Sequence, residues 1–524
     1  MRSIDNRKKL GKKFFGVEIE EEQFEMRPLK TNSKIYCLER QFSSMENEIN
    51  TKYWPQKVQP GYDEFVWAFG QDYLPQPIFD SIIVFLFVNN TKILDVLRNS
   101  ILVEFESNSQ TYKLMIKLEF SRIVLKFRTL INSLNQSINC IDFIVNLNDS
   151  LKNIISFYSD NNYVKENLLC PVCIQNNAKT IGEMSVENVI ESIKNCNDTV
   201  VFGSHKYESN IRHVVPINCL SITTQLKYLK DEFKKLILQQ NKLKPEKELY
   251  KSNDYNVYEC FYGNTPYIVK IFTFDNTKAE NKGGSQILGN ILSVITRECI
   301  ISQKCTSEYF LKPCGILLQS PSILYDLCSY NLSQYIHSQS TDTSLYFTFM
   351  EQICLGMKDL HSQGFLHRNL KPSSIYIKTN EMNQKYCVIS GFGDACQISS
   401  TNKKYYDISN KDDKINCSNI AYLAPEVLQD NTYRIESDVY SFGMICYEMF
   451  NKSKPYEKNK LPINSLIQQI IQNGYKPGQL KSPYSSLNKL MPKCLYPSPS
   501  NRPSFATLAA EIDKIKKSSV KKKK

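Results

Sequence analysis

LHRNLKPSSIYI, Leu366 to Ile377, is the stretch on which the reading of the fold turns. Four further strings follow it in order: CVISGFGDA at Cys387–Ala395, AYLAPEVL at Ala421–Leu428, SDVYSFGMICYEM at Ser437–Met449 and NRPSF at Asn501–Phe505. Upstream lies YIVKIF, Tyr267–Phe272, a short strand with a lysine in its middle that on its own reads as a solvated face. Between Leu249 and about residue 517 the pattern is strands first and long helices after.

The order and spacing of these six strings resemble a protein kinase domain over about 270 residues, half of the chain. The tyrosine-kinase-like group is nearest in style, through SDVYSFGMICYEM and NRPSF. The resemblance implies a bilobal kinase fold, with a β-rich N-lobe and a helical C-lobe. Carried over residue by residue, Lys270 matches the strand lysine that holds the α- and β-phosphates, and Glu298, in TRECII, matches the helix glutamate that pairs with it. His367 and Arg368 match the start of the catalytic loop, and Lys371 its phosphate-facing lysine. Phe392 and Gly393 match the last two residues of the DFG triplet. Glu426 and Arg502 resemble the ion pair that ties the activation segment to the C-lobe, and Asp438 the aspartate that anchors the catalytic loop. Val257 would roof an adenine, and Asp326, one step after the gatekeeper Tyr325, would lie at the hinge. His367 and Phe392 are expected to pack rather than to catalyse. His361, at the end of the apolar-striped helix 346–360, is expected only to cap or pack.

The departures fall on the chemistry. Asn369 stands where the family has its catalytic-loop aspartate, and an amide cannot accept the substrate hydroxyl's proton. A positioned base contributes roughly 10²–10⁴-fold. Ser374 replaces the asparagine that binds the second magnesium, and Gly391 replaces the DFG aspartate. Without both metal ligands, little neutralises the β- and γ-phosphates, and that electrostatic effect is most of phosphoryl-transfer catalysis. Tyr250, Ser252 and Tyr255, in YKSNDYNV, occupy the three glycine positions of the phosphate loop and hinder close approach of backbone N–H groups. Asp394, directly after GFG, could supply a carboxylate but stands in the wrong register. No catalytic set is intact.

Composition sets the outer bounds. The 524 residues suggest two to four domains, and 42% hydrophobic with 23% charged residues is ordinary for globular chains. The longest apolar run, Ile82–Val88, is far short of the 18 or so residues that cross a bilayer. The N-terminus, MRSIDNRKKLGKKFFG, has no apolar core of a secretory signal, so a cytoplasmic protein is expected. The 17 cysteines read as reduced, mostly buried thiols. Seven lysines near the C-terminus supply more than half of the net charge of +12, which argues against nucleic acid as a partner. They read as a solvated tail, with weak contact to an anionic membrane as the other reading.

Residues 1–35 read as a flexible charged lead-in, and 36–222 as an α+β domain. SIIVFLFV, SILVEF and KLMIKLEF have the character of strands, and Ile141–Tyr158 has helical spacing. KYWPQ, DYLPQPIFDSIIVFLF, VLRNSILVEF, ISFY, LLCPVC and HVVPINCLSI resemble the second half of a COR domain, over about 170 residues. In the Roco family, COR often precedes a tyrosine-kinase-like kinase domain, and the same order here implies membership. Leu97 in place of a usual tryptophan and Ser100 in place of a usual glycine are departures. No G-x-x-x-x-G-K-[ST] string marks the Ras-like domain that precedes COR in that family; GKK at Gly11 comes nearest. A reduced paralogue and a lost upstream part both fit.

Residues 223–246 form an amphipathic linker helix through Leu226, Leu229, Phe233, Leu236 and Ile237; a kinase-like domain spans 247–517, and 518–524 is a lysine-rich tail. Cys170 and Cys173 have the spacing of a zinc half-site, but Cys196, His205, His213 and Cys219 are scattered, so buried thiols are expected and zinc is not. The combined expectation is a pseudokinase scaffold that regulates a partner kinase or signalling protein by binding, and homodimerises through its COR-like part. The rivals are an active or atypical Ser/Thr kinase and a sensor that binds ATP without magnesium.

Overall fold

The computed structural model describes residues 62–70, 82, 92–97, 100–107, 110–119, 122–130, 144–154, 165–175, 181–202, 213–217, 222–252, 254–273, 284–338, 345–398, 420–457 and 461–521. KYWPQ, ISFY and all of SIIVFLFV except Ile82 lie outside them. The chain divides into two compact units. The first comprises residues 1–186 with 205–209 and 276–285, and the second 187–204, 210–275 and 286–524. The segment 187–204 and the residues from 210 to 275 thus belong to the second unit, with the kinase-like part.

In the first unit, β1 (Tyr62–Gly70), β2 (Lys92–Leu97), β3 (Ser100–Ser107), β4 (Gln110–Glu119), β5 (Arg122–Leu130), β6 (Lys165–Leu169) and β7 (Glu183–Ser185) make one antiparallel sheet. Its order is β2-β3-β4-β5-β1-β6-β7. SILVEF and KLMIKLEF are strands, as their pattern predicts. Tyr112, Leu114 and Ile116 are buried at alternate positions of β4 while Thr111 and Lys117 are exposed, the period-two pattern of a half-buried strand. Residues 144–154 are helical, with Ile144, Leu147, Leu151 and Ile154 buried, and Lys152 ties this helix to β6 by a 3.2 Å ion pair with Glu166. Cys170 and Cys173 are buried, and burial pushes the Cys170 thiol up.

In the second unit, α1 (Val186–Lys194) leads into a two-stranded ribbon of β8 (Thr199–Phe202) and β9 (His213–Pro216), and then α2 (Ile222–Glu232). The expected linker helix is shorter than its apolar stripe. Leu226, Leu229 and Phe233 are buried, but the helix stops at Glu232 and a 3₁₀ turn takes Lys234–Leu236. The reason is tertiary: Ile237 bridges to Ile316, and the Leu238 N–H donates to the Ile316 carbonyl at 2.9 Å. Gly315 allows this approach, since a Cβ there would meet Leu238 Cδ1 at 2.1 Å.

The N-lobe sheet follows as β10 (Leu243–Lys251), β11 (Tyr255–Tyr262), β12 (Thr265–Phe272), β13 (Pro313–Leu317) and β14 (Ser322–Asp326), in the order β10-β11-β12-β14-β13. Cys260, Val269, Leu317 and Leu324 form its core. Beside the sheet runs α3 (Gly284–Lys304). The C-lobe is helical, built on α4 (Tyr346–Ser362) and α5 (Ile435–Asn451). Buried side chains ring α5 almost entirely, which marks it as an interior helix. This is the expected bilobal arrangement. Among the described residues every cysteine is free and all but Cys314 are buried. No described helix is long and apolar enough to cross a membrane.

Candidate functional site

The catalytic loop is fixed from below. Asp438, near the start of α5, accepts hydrogen bonds from the backbone N–H of His367 at 2.9 Å and of Arg368 at 3.0 Å. These bonds hold Arg368 in the left-handed region at φ 62, which a non-glycine residue rarely adopts. His361 contributes more than packing: its Nε2 lies 2.9 Å from Asp438, and its ring meets Phe505 edge-on. Burial works to raise the Asp438 carboxyl, but His361 and the His367 amide hold it below the usual carboxylate range. His367 is buried and its pKa lowered by desolvation. Its Nε2 bonds the Ser390 carbonyl at 3.1 Å and its Nδ1 faces the Asn369 N–H at 3.3 Å, so the ring is neutral with the proton on Nε2. It packs on Phe392, which packs in turn on Phe310. Glu426 and Arg502 form the expected ion pair, bidentate at 2.7 and 2.9 Å, with Ser437 donating to the same carboxylate.

The positions that would carry chemistry are otherwise engaged. The Ser374 hydroxyl donates to the Lys371 carbonyl at 2.8 Å and accepts the Lys371 N–H at 3.1 Å, a local turn contact. Gly391 sits at φ 84, and a Cβ there would lie 3.3 Å from Ser374 Cβ. The Asn369 amide donates to Asp394 Oδ2 at 2.9 Å. Asp394 therefore does not point away, as its register suggests; the 3₁₀ turn Phe392–Asp394 swings its carboxylate back to the base position.

The phosphate loop closes on itself. Lys251 pairs with Asn256, and Ser252 spans the hairpin end: its N–H and its hydroxyl both donate to the Tyr255 carbonyl, at 3.1 and 2.7 Å. The Tyr255 N–H donates back to the Ser252 hydroxyl at 3.1 Å. Two backbone donors that a phosphate would need are thus consumed. The Lys270 ammonium lies 4.2 Å from the centre of the Tyr255 ring and 5.1 Å from that of Phe272, a cation–π cage. Tyr250 packs against Tyr255, and Tyr376 from the C-lobe lies in the same field. Burial pushes the Tyr255 phenol up to about 12.

Lys270 and Glu298 do not form the expected ion pair. Both Glu298 carboxylate oxygens lack a hydrogen-bond partner in a fully buried setting. Burial pushes this carboxyl up, against the pull of the nearby Lys270 charge. Burial likewise lowers the Lys270 ammonium, against Glu298 and Asp394. Val257 is buried opposite Lys270 in the sheet register, as its expected place in the roof requires. Ile268 stands where the V-A-I-K pattern has alanine and is buried, adding bulk to the same roof. Asp326 ends β14, and its carboxylate pairs with Lys378 at 2.8 Å and the Cys314 thiol at 3.0 Å. Those two contacts hold the carboxyl low despite partial burial.

Two arginines complete the site. Arg297, next to Glu298, donates to the Gly393 carbonyl at 3.3 Å, so α3 sits tightly on the start of the activation segment. A Cβ on Gly393 would meet Val294 Cγ1 at 2.5 Å, so only glycine permits this approach. Arg297 and Arg368 both bond Asp198, a residue that no sequence pattern singled out.

Comparison with known proteins agrees with this geometry. Residues 289–512 match the family of protein tyrosine and serine/threonine kinases. The chain is similar to RGS domain-containing serine/threonine-protein kinase A of Dictyostelium discoideum, 29% identical over 202 residues that cover 36% of this chain and 16% of that protein. It is similar also to serine/threonine/tyrosine-protein kinase HT1 of Arabidopsis thaliana, 28% identical over 189 residues, 35% of this chain and 44% of that one. The chain spans less than half the length of these curated relatives. Residues 289–512 thus carry a protein kinase domain.

Proposed function

We propose that this kinase domain is a pseudokinase, a regulatory scaffold that acts in the cytoplasm by binding another protein, a kinase or signalling partner. The observation that carries the reading is the Tyr255 ring over Lys270, with the loop amides closed by Ser252, where a nucleotide's phosphates would lie. The amide at Asn369, and Ser374 and Gly391 in place of the family's metal-binding asparagine and aspartate, support it independently. The first unit is read as a COR-like dimerisation module of a Roco-type chain. VLRNSILVEF supports that reading, and its two departures, Leu97 and Ser100, face each other across the β2–β3 hairpin.

The test is radiolabel transfer from ATP by the full chain beside Lys270→Ala, with a thermal-shift scan in millimolar ATP with and without magnesium. The expected result is equal label in both proteins and no shift. A shift without transfer would mark the chain as a nucleotide sensor. Label above the control would mark an atypical Ser/Thr kinase, a second reading favoured by the Asp394 carboxylate at the base position. In that case Asp394→Asn should abolish the transfer. Tyr255→Gly should by itself create an ATP-dependent shift, since it clears the cage around Lys270.

A further inference from the structure

α6 (Ile463–Asn473) carries more apolar surface than the fold uses. INSLIQQIIQN has five isoleucines and leucines, yet only Ile470 is buried. Leu466, Ile467 and Ile471 are half-buried, and Ile463 is 38% exposed. Ile463, Ile467 and Ile471 stand four residues apart and so share one face of the helix. The helix ends at Gly474, in the left-handed region at φ 57, where a Cβ would lie 3.0 Å from Pro497 Cγ. That close approach brings Tyr475, 42% exposed, towards Tyr496, 39% exposed. The Lys476 ammonium lies 5.6 Å from the centre of the Tyr496 ring, and Tyr475 stacks on Tyr456 at 5.7 Å.

The charge around this face has one sign. Residues 452–497 hold eight lysines, no arginine and a single acid, Glu457. Asn451 gathers part of the excess: its side chain donates to the Gln479 carbonyl at 3.0 Å and accepts the Lys481 N–H at 2.8 Å, which sets Lys481 beside Lys452. Lys452, Lys454 and Lys481 are exposed, and Lys476 is half-buried. The helix Pro425–Asp430 packs on α6 and adds one exposed acid, Asp430, which leaves the excess positive.

We propose that this face docks a partner protein through an acidic segment that also bears apolar side chains. The isoleucines of α6 and the two exposed tyrosines take the apolar groups, and the lysines around them take the carboxylates, an apolar centre with a complementary charged rim. A helix that lies in a membrane surface carries lysine or arginine along its own polar face; α6 has asparagine and glutamine there and no charge. Phosphate recognition favours arginine forks, and this stretch has none. A second copy of the same face would meet like charge. The inference rests on the scaffold reading for the partner's role alone, since docking here needs no phosphoryl transfer.

The test titrates the full chain into a fluorescent synthetic peptide with leucine at i, i+3, i+4 and i+7 of a helix and glutamate elsewhere, read by anisotropy. The same peptide with glutamine or lysine in place of glutamate is the control. Saturable binding of the glutamate peptide alone is expected, weakened about tenfold between about 0.05 and 0.3 M sodium chloride. Ile463→Asp and Lys476→Glu/Lys481→Glu should each weaken it at least about tenfold while melting within about 2 °C of the parent. No binding, equal binding of the glutamine peptide, or no effect of the lysine pair overturns the proposal. If Ile463→Asp does not fold, the lysine pair decides. Vesicles of phosphatidylserine and phosphatidylcholine are the second probe. Sedimentation with them that either variant abolishes, in the absence of peptide binding, assigns the face to a membrane and overturns the proposal too. Label transfer from ATP would refute the pseudokinase reading and leave this surface standing; loss of peptide selectivity would do the reverse.

Discussion

Glu298 and Lys270 carry the sharpest consequence at the scale of single residues. Were they a tight ion pair, Glu298→Gln would leave a buried cation and cost about 3–5 kcal/mol. With both carboxylate oxygens unpartnered, the same change removes a desolvated acid. We expect it to be neutral or to stabilise by about 1–3 kcal/mol in urea unfolding at neutral pH. The sign follows from the raised carboxyl. A folded-state pKa above the unfolded one favours folding fully below the unfolded pKa, and that benefit is lost as pH rises through the folded value. The parent should therefore lose stability relative to Glu298→Gln as pH rises from about 4, and a gap independent of pH would contradict this. The lysine and the glutamate were legible in the sequence, as was every substituted catalytic position. Their geometry was not, because the cage around Lys270 depends on where Tyr255 turns its ring, and that is a tertiary choice.

Among elements, the Glu426–Arg502 clasp ties three pieces together. Glu426 lies in the helix Pro425–Asp430, Ser437 in α5, and Arg502 just before the helix Phe505–Lys521. The Arg502 side chain is fully buried. Glu426→Ala leaves that charge without its bidentate partner and should cost about 3–5 kcal/mol, read as a lower urea midpoint with an unchanged slope. A loss under about 1 kcal/mol would mean that the three carbonyls around Arg502 suffice without the carboxylate. Alternation in KLMIKLEF and the apolar stripe of 346–360 announced a strand and a helix, because burial on one face imposes those periods. The stripe through Leu236 and Ile237 misled, because a strand contact at Ile316 outbids one more helical turn.

For the whole molecule, the boundary near residue 186 enlarges the kinase-bearing unit beyond its family pattern. A fragment of residues 187–517 should fold and melt cooperatively, whereas 247–517 lacks Asp198, α2 and the Leu238 contact and should melt several degrees lower or aggregate. Equal melting points would confine the unit to the family's limits. The sequence could not reveal that 187–204 joins this unit, since a lone aspartate after a short helix has no signature and its two arginine partners lie about 100 and 170 residues away. Because Asp198 lies on the same chain as Arg297 and Arg368, it meets them at an effective concentration of about millimolar or higher. The three-way contact is therefore intramolecular, and dilution does not weaken it.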